Sequence, residues 1–407
     1  MTLLSVATAL SRLLEKASPL PGQEDVPLDA AVGRVLAADV AARLTQPPFD
    51  SSAMDGYALR AADIATVGAE LSVIGESAAG HGFAGSVGPG ETVRIFTGAP
   101  VPDGADTVML QEDAEVLEGG RIRSTFVTPQ GRHIRPKGQD FMLDEVVLEA
   151  GRAVDFATLL VAAGMNHATL PVWRKPIVAI IATGDELALP GSAPGPNQII
   201  ASSTYAVAAL ARQSGAEVID LGIVPDSTEA IGAAVADARS RKADVLITLG
   251  GASVGDHDLV QSVLTGAGMQ LDFWKIAMRP GKPLMVGSLD EMHVLGLPGN
   301  PVSSMVCALL FMEPLIRKLA HLPPARREAT AITVAALPAN DHRQDFVRAR
   351  LYRETSGKLS VESFGKQDSS LMKQFSQADC LIVRPPHAPE LPAGMPCPVL
   401  LLHPESL

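Results

Sequence analysis

The chain has 407 residues, more than one ordinary hydrophobic core can organise, so we expect roughly two to four domains. Apolar residues make up 47% of it and charged residues 19%, which is typical of a globular α/β enzyme and argues against a disordered or fibrous protein. The formal net charge of −12 argues against a protein that coats nucleic acid or an anionic membrane, but a few cationic side chains or a bound divalent cation can still hold a small anion.

The N-terminal segment predicts an amphipathic helix rather than a signal peptide. Val6, Leu10, Leu13 and Leu14 fall on one helical face, and no basic region precedes them. A second helix is expected in LDAAVGRVLAADVAA, residues 28–42. No apolar run in the sequence reaches the roughly eighteen residues of a membrane span, so we expect no membrane partner.

The cysteines indicate the compartment. Cys307, Cys380 and Cys397 are scattered and lack C-x-x-C spacing. Neither a disulfide framework nor a zinc site is therefore indicated, and we expect a reducing, cytoplasmic location.

The stretch PPFDSSAMDGYALR, residues 47–60, has neither helical nor strand periodicity and predicts a structured loop. Residues 70–135 follow with short alternating runs, ETVRIF, TVML and RIRSTFV, which indicate antiparallel β structure. A helix is predicted in FATLLVAAGM, residues 156–165. We expect this helix to pack on the N-terminal helices, which makes the β region an insertion.

From residue 176 the pattern changes to apolar, β-branched runs that alternate with helical patterns. PIVAIIA, AEVIDLGIV and ADVLITLGG are such runs, and a last helix is predicted at about 301–320. Strands and helices that alternate at this spacing predict a doubly wound parallel sheet. Past Pro323 and Pro324 the runs become β-like again, and we expect a small barrel or sandwich.

The predicted fold class is therefore an α/β multidomain protein. It has a doubly wound parallel-sheet domain at 173–322 and an inserted β domain at 44–137. An N-terminal helical and extended domain is formed by 1–43 with 138–172, and a C-terminal β-barrel domain spans 323–407.

In open parallel sheets, ligands bind beyond the carboxyl ends of the strands, where loop amides and helix N-termini converge. In this sequence glycines, acids and turn residues follow four such strands. They are Thr183, Gly184, Asp185 and Glu186 after the first, Pro225, Asp226 and Ser227 after the second, residues 250–258 (GGASVGDHD) after the third, and Pro298, Gly299, Asn300 and Pro301 after the last.

The GGASVGDHD loop is suited to an anion and a cation together. Backbone amides at Gly250, Gly251, Ser253 and Gly255 can approach a phosphate, and Asp258 suits a divalent cation. The alternative interpretation of the loop is a glycine turn in which Asp256 or Asp258 caps the next helix, and the sequence supports it about as well as ligand binding. His257 has no second histidine at metal spacing, so we expect it to be a bystander.

Acids at three separate strand ends are less easily explained by helix capping alone. Glu186, Asp226 and Asp258 together fit Mg²⁺ held near phosphates. Each of them singly could be a cap or a first-turn acid favoured by the helix dipole.

Lys275, Arg279 and Lys282 form a dense basic stretch in WKIAMRPGKP. Arginine can bind a phosphate bidentately and lysine can act as a point charge, so we expect the three to bind an anion. A solvated turn with exposed charges is the alternative. PGNP at 298–301 is a rigid turn by default, or a loop that holds the edge of the ligand.

Two nucleotide motifs are excluded. GHGFAG, residues 80–85, matches a dinucleotide fingerprint only as letters, because no apolar strand precedes it and no helix follows. No G-x-x-x-x-G-K-[ST] occurs, so a kinase-like P-loop is absent.

Seven motifs taken in order resemble one family. PPFDSSAMDGYAL, RIFTGAPVPDGADTV, RPKGQDF, TGDEL, GGASVGDHD, MRPGKP and GLPGNP occur as they do in MoeA-like proteins, the molybdopterin molybdenumtransferases related to the gephyrin E domain. The resemblance runs from the N-terminus to the C-terminal β region.

The resemblance implies a reaction and an assembly. Such enzymes take adenylylated molybdopterin and molybdate and, in a Mg²⁺-dependent step, insert the metal at the dithiolene while AMP is released. They are elongated homodimers of four domains, and the active cleft lies between the parallel-sheet domain of one subunit and the inserted β domain of the other. By this likeness Asp55 and Thr97 face the ligand across the dimer seam, and the adenylyltransferase of the same pathway is a candidate partner.

The sequence also departs from the family pattern. Similar proteins often have an Asp-Ser-Asn run where this chain has Ala201 and Ser203, which puts one polar contact to the nucleotide or pterin in doubt. Two alternative functions remain: the related adenylyltransferase, which is expected as a compact single domain with the same sheet, and a gephyrin-like scaffold that binds peptides with residues 323–407.

Overall fold

The computed structural model describes residues 3–250, 259–355 and 357–404. The chain forms two compact units. One comprises Met1–Glu24, Gly33–Val35 and Trp173–Leu407, and the other comprises Asp25–Val32 and Leu36–Val172.

The predicted N-terminal helix is confirmed as α1, Val6–Lys16. The hydroxyl of Ser5 caps it by accepting a hydrogen bond from the Thr8 amide at 3.1 Å. The helix buries Val6 and Leu13 on the predicted apolar face. Among the described residues, no helix has the length and apolar character needed to cross a membrane.

Between residues 23 and 173, in addition to two short 3-10 turns, the chain forms short strands with two intervening α-helices. In order they are β1 (Gln23–Pro27), α2 (Leu28–Ala31), β2 (Val40–Ala41), β3 (Ser51–Ser52), β4 (Gly56–Leu59), β5 (Glu70–Ser77), β6 (Glu91–Ile95), β7 (Thr107–Leu110), β8 (Ala114–Leu117), β9 (Arg121–Ser124), β10 (Ile134–Arg135), β11 (Val146–Leu148), α3 (Phe156–Gly164) and β12 (Thr169–Trp173).

The predicted second helix over residues 28–42 is wrong. Only α2 is helical, and Gly33 follows it with a φ of +76°, a conformation that glycine adopts without strain. Beyond Gly33 the chain is extended in places rather than helical, because Leu36 forms an isolated antiparallel bridge with Val172 and Val40 lies in β2. Strand β2 pairs with β11. Pairing with a distant strand therefore outweighs the local helical pattern.

Six of these strands form one sheet, in the order β7-β4-β6-β5-β9-β8. Its pairings are antiparallel except for β5 with β6, which are parallel. The antiparallel β region expected from the alternating runs is thus confirmed. Helix α3 is also confirmed, with the Asp155 carboxylate accepting a hydrogen bond from the Thr158 amide at 2.8 Å as its cap.

Residues 177–319 form the α/β part of the chain. Its elements are β13 (Ile177–Thr183), β14 (Leu187–Ala188), β15 (Ile199–Ile200), α4 (Ser203–Gln213), β16 (Glu217–Val224), α5 (Thr228–Ser240), β17 (Val245–Leu249), α6 (Leu259–Gly266), β18 (Gln270–Trp274), β19 (Met278–Arg279), β20 (Met285–Leu289), β21 (Met292–Leu297), α7 (Pro301–Cys307) and α8 (Glu313–Leu319), with a π-helical segment, Ala308–Met312, between the last two.

The main sheet has the order β16-β13-β17-β21-β20-β18. The first four strands are parallel, whereas β20 pairs antiparallel with β21 and β18 pairs antiparallel with β20. Alternate residues of β13 enter two different cores, with Ile180 in one and Ile181 in the other. Both faces of the sheet are therefore covered, which confirms the doubly wound architecture.

The C-terminal residues form a closed barrel, with the strands β22 (Glu328–Thr333), β23 (Gln344–Arg353), β24 (Leu359–Ser363), β25 (Cys380–Arg384) and β26 (Pro396–Leu401) and the short helix α9 (Met372–Ser376). Strand β23 pairs with both β24 and β25, and β22 and β26 complete the ring. Of the two architectures expected from the sequence, the barrel is correct.

Candidate functional site

The predicted site lies at the carboxyl edge of the four parallel strands. The amide of Gly184 donates to the carbonyl of Val224 at 3.4 Å, which joins the ends of β13 and β16. The amide of Gly250 donates to the carbonyl of Leu297 at 3.3 Å, which joins the ends of β17 and β21. The structure thus brings together the loops that the sequence placed at this edge.

Carboxylates meet at the first two strand ends. The Asp226 amide donates a hydrogen bond to Oδ1 of Asp185 at 3.2 Å. Partial burial, and then the negative charges of Asp185 and Glu186, raise the pKa of the Asp226 carboxyl above its usual range. The three acids are therefore close enough to repel one another, and a bound cation would relieve that repulsion.

These acids fit Mg²⁺ only as part of a ligand set. Among the residues that the structure describes, no group of three or more His, Cys, Asp or Glu side chains has the arrangement of a metal site. Mg²⁺ is commonly held by one or two carboxylates, with waters and substrate phosphates as its other ligands, so two carboxylates such as Glu186 and Asp226 would be enough on the protein's side. The third predicted ligand, Asp258, lies outside the described residues.

Glycine is required where the first and third strand ends approach each other. Gly250 has a φ of +91°, and a Cβ there would lie 2.7 Å from the carbonyl oxygen of Thr183. The Thr183 hydroxyl is buried without a hydrogen-bond partner among the described residues. Gly251, Ser253, Gly255 and His257, which follow in the same loop, lie outside the described part of the chain.

The PGNP turn starts α7 and is tied to the barrel part of the chain. A Cβ on Gly299 would lie 3.8 Å from the Cα of Gly250, so the last loop reaches the third. The Asn300 side-chain amide donates to the hydroxyl of Ser369 at 3.1 Å, and Pro301 occupies the first turn of α7. The hydroxyl of Ser304, in α7, donates to the carbonyl of Pro298 and so stabilises the turn.

Sequence reasoning missed the segment that carries Ser369. It is held by Arg348, a buried side chain whose guanidinium donates to the carbonyl of Asp368 at 2.6 Å. The Val302 amide of α7 donates to the carbonyl of Ser369 at 3.1 Å. The polar run QDSS at 367–370, separated by three residues from the end of β24, was the signal that could have found it.

The three basic residues of WKIAMRPGKP differ in their surroundings: Lys275 and Lys282 lie at the two ends of one turn, whereas Arg279 bonds to an acid. The amide of Ile276 donates to the carbonyl of Lys282 at 3.0 Å, so the ends of the turn that carries Lys275 and Lys282 lie together. The ammonium of Lys275 lies 4.7 Å from the ring centroid of Trp274. Arg279 instead donates from Nε to Asp345 at 2.8 Å, and this bond raises the pKa of its guanidinium. Its predicted contact with an anion stays a prediction.

Asp55, in the stretch of residues 47–60, and Thr97, which follows β6, form a second polar pair beside the sheet that contains β4 and β6. Oδ1 of Asp55 accepts hydrogen bonds from the Thr97 amide at 2.7 Å and from the Thr97 hydroxyl at 2.8 Å. These bonds, together with the charge of Arg94, lower the pKa of the Asp55 carboxyl. The two residues that the family resemblance selected, 42 positions apart, are therefore neighbours.

The two departures from the family pattern lie at the start of α4. Ala201 is buried, and its amide donates to the carbonyl of Ala188 at 2.9 Å. Ser203 is the first residue of the helix, and no side chain caps it. The methyl group at position 201 supplies no polar contact.

Comparison with known proteins gives three family models in succession along the chain. Residues 4–165 match the MoeA N-terminal region, domains I and II. Residues 179–318 match the probable molybdopterin binding domain, and residues 330–402 match the MoeA C-terminal region, domain IV.

Relatives match over nearly the whole length. The molybdopterin molybdenumtransferase of Haemophilus influenzae is 37% identical over 384 residues, which is 94% of each chain. The enzyme of the same name from Bacillus subtilis is 33% identical over 97% of this chain and 96% of its own. The solved structure of the molybdopterin biosynthesis MoeA protein from Pyrococcus horikosii superposes with a TM-score of 0.81 at 28% identity, over 98% of this chain and 99% of that one. The chain belongs to the MoeA family, whose curated members are the molybdopterin molybdenumtransferases.

Proposed function

We propose that this protein inserts molybdenum into molybdopterin during molybdenum cofactor biosynthesis, with adenylylated molybdopterin and molybdate as substrates and AMP as a product. In this reaction water cleaves the bond between the pterin's terminal phosphate and AMP, which leaves a phosphate monoester on the pterin. Molybdenum becomes bonded to the two dithiolene sulfurs while two of the molybdate oxygens leave as water, with the two thiol protons and two protons from solvent, so its oxidation state does not change. The substrates supply the sulfurs and the metal, so the chain needs cations, backbone amides and acids at the site rather than thiols.

One observation carries the proposal. The Asp226 amide donates a hydrogen bond to the Asp185 carboxylate, and partial burial, followed by the charges of Asp185 and Glu186, raises the pKa of the Asp226 carboxyl, at the edge where parallel sheets bind phosphate-bearing ligands. Carboxylates that repel one another are a poor arrangement for anions unless a divalent cation lies between them. Glu186, Asp226 and Asp258 would hold Mg²⁺, which would neutralise negative charge on the phosphoanhydride as that bond breaks.

The remaining residues of the edge would bind and orient the substrates. Lys275 and Lys282 supply positive charge for phosphate or molybdate, because neither has an ion pair among the described residues. Arg279 would have to release its hydrogen bond to Asp345 in order to bind the anion. The amides of the loop that begins at Gly250, and the PGNP turn before α7, would hold the phosphate groups and the ligand edge.

The cysteines of the chain do not compete for molybdenum. Cys307, Cys380 and Cys397 are all buried. Burial raises the pKa of the Cys380 thiol to about 12, so it stays protonated and is a poor metal ligand at neutral pH.

We also propose a homodimer in which Asp55 and Thr97 of one subunit face the sheet edge of the other, as the family resemblance implies. An exposed apolar pair supports a contact between copies. Phe156 and Leu160 are 85% and 75% exposed and lie four residues apart on α3, hence on one face. Large apolar side chains clustered on a surface commonly mark an interface.

The test is a reconstitution with purified protein, adenylylated molybdopterin, molybdate and Mg²⁺. We expect AMP release together with transfer of active cofactor to an apo-molybdoenzyme, and loss of both when EDTA removes Mg²⁺. Glu186→Gln should lower both rates, whereas Glu217→Gln, at the opposite end of the sheet on β16, should not. Accumulation of adenylate from molybdopterin and ATP without molybdate would instead identify an adenylyltransferase.

A further inference from the structure

Arg94 lies on the sheet beside the Asp55–Thr97 pair. It stands on β6 directly across from Tyr57 on β4, so the two side chains share a face of the sheet. Phe96, two residues further along, lies on that face as well. The guanidinium carbon of Arg94 is 5.1 Å from the Tyr57 ring centroid and 5.0 Å from that of Phe96. Two aromatic rings therefore hold the guanidinium by cation–π contact.

The same guanidinium fixes the backbone on which Asp55 stands. Nη1 of Arg94 donates to the carbonyl of Gly56 at 3.0 Å, and Nη2 donates to Oε1 of Gln111 at 2.6 Å. The amide of Gln111 in turn donates to the carbonyl of Asp55 at 3.2 Å. Arg94 thus links three segments of the chain that meet at Asp55.

Among the residues that the structure describes, Arg94 donates to uncharged oxygens, so no hydrogen-bonded carboxylate in this part of the chain neutralises its positive charge. That charge contributes to the lowered pKa of the Asp55 carboxyl, after the two hydrogen bonds from Thr97. Arg94 therefore acts on Asp55 both through the backbone and through its charge.

We propose that Arg94 is a positioning residue, which presents the Asp55–Thr97 pair to the ligand in the reaction. The inference rests on the proposed function, in which that pair faces the substrate. Lysine cannot replace it, since a point charge supplies neither two divergent donors nor a planar face for the two rings.

The experiment compares Arg94→Lys with Asp55→Asn and the double variant in the reconstituted insertion reaction. We expect Arg94→Lys to lower kcat/KM by about tenfold in the wild-type background and by less than about twofold in the Asp55→Asn background, because residues that act through one group are not additive. A loss of the same size in both backgrounds would overturn the proposal. Arg123→Lys is the matched control, because Arg123 lies in the same sheet and pairs with Glu70 and Glu115.

A second measurement does not depend on activity. Amide hydrogen exchange at Thr97, whose N–H is held by Asp55, should become faster in Arg94→Lys and stay unchanged in Arg123→Lys. Unchanged exchange in Arg94→Lys would overturn the positioning role even if activity fell. Full activity of Asp55→Asn alone would instead refute the assignment of the pair to the site, and the exchange result would still decide whether Arg94 positions it.

Discussion

The Asp226 amide donates a hydrogen bond to the Asp185 carboxylate, 3.2 Å away, so the loops after two neighbouring parallel strands are tied through an acid. This arrangement keeps negative charges close together at the edge where the ligand is proposed to bind. A site built in this way should be less stable empty than it would be with one acid neutralised, and the first prediction tests this consequence.

Asp226→Asn should stabilise the metal-free protein at neutral pH while it lowers the rate of molybdenum insertion. Because the folded-state pKa of Asp226 is raised, the stability that its protonated form contributes is present below the unfolded-state pKa and is lost as the pH rises through the folded-state pKa. The gain from asparagine should therefore appear at neutral pH and vanish in acid. We expect less than about 1 kcal/mol, because the group is exposed and solvent screens it.

Thermal unfolding measured across pH, with and without Mg²⁺, checks the stability effect. Mg²⁺ should stabilise the wild-type protein more than the variant. Insertion activity should fall by at least about tenfold, the usual cost of losing even a supporting residue of a metal site. Asp237→Asn on α5, which breaks a surface pair with Arg241, is the control. Equal melting temperatures at neutral pH would contradict the charge-repulsion account.

Gly281→Ala should distort the basic turn. Gly281 has a φ of +103°, and a Cβ there would lie 2.5 Å from the sulfur of Cys307, which is buried beneath it. We expect destabilisation of about 1–3 kcal/mol from overpacking and backbone strain. Activity should also fall, because a distorted turn would displace Lys282, the next residue, which is proposed to supply positive charge for phosphate or molybdate. Urea unfolding and the insertion assay provide the measurements.

Two further variants separate the causes of that effect. A Cβ at Gly266, at the end of α6, would meet no atom of the described residues within 4 Å outside its own helix and its chain neighbours, so Gly266→Ala should be neutral or stabilise by up to about 1 kcal/mol. Adding Cys307→Ala to Gly281→Ala should relieve the closest contact and leave the backbone strain together with the 3.1 Å contact with Cε of Met278. If Gly281→Ala is as stable as the wild type, the turn is looser than the structure shows.

Glu313→Ala should cost far more stability than the loss of a surface ion pair. The Glu313 carboxylate accepts from Nε and Nη2 of Arg327 at 2.5 and 2.9 Å, and both side chains are buried. Arg327 also donates to the carbonyls of Leu401 and Leu402, so the pair joins α8 to the barrel. Removing one member leaves a buried charge unpaired, which costs about 3–5 kcal/mol.

Urea unfolding followed by circular dichroism measures this loss. Arg239→Ala serves as the control, because its pair with Asp290 is exposed on both sides and should contribute less than about 1 kcal/mol. Similar losses for the two variants would show that burial does not decide the contribution of the pair.

Phe156→Glu should dissociate the proposed dimer without unfolding the subunit. The side chain is 85% exposed in the single chain, so a charge there costs little unless a second copy covers it. Sedimentation velocity should show a shift from dimer to monomer, with loss of insertion activity. Val116→Glu on β8, 73% exposed, should change neither property. A wild-type protein that sediments as a monomer would refute the shared site.

Local patterns in the sequence were sufficient for much of the fold. The apolar runs at 176–182, 216–224 and 243–251 predicted three parallel strands, and the helical spacing of Val6 and Leu13 predicted α1. The acids and glycines after those strands could be assigned to one edge, because parallel strands in one sheet end together. The order of seven motifs identified the family.

Contacts between distant residues were beyond the reach of those patterns. The local pattern of residues 28–42 predicted a helix, but β2 within this stretch pairs with β11. Closure of the barrel depends on the pairing of β23 with both β24 and β25. The hydrogen bonds from Arg279 to Asp345 and from Asn300 to Ser369 likewise join separate parts of the chain. Periodicity indicates which face of a segment is apolar, so the sequence by itself determined most of the elements, the family and the acidic strand ends, but not the structure of residues 28–42. Which polar groups meet depends on long-range packing of those elements, and only the tertiary structure decided that.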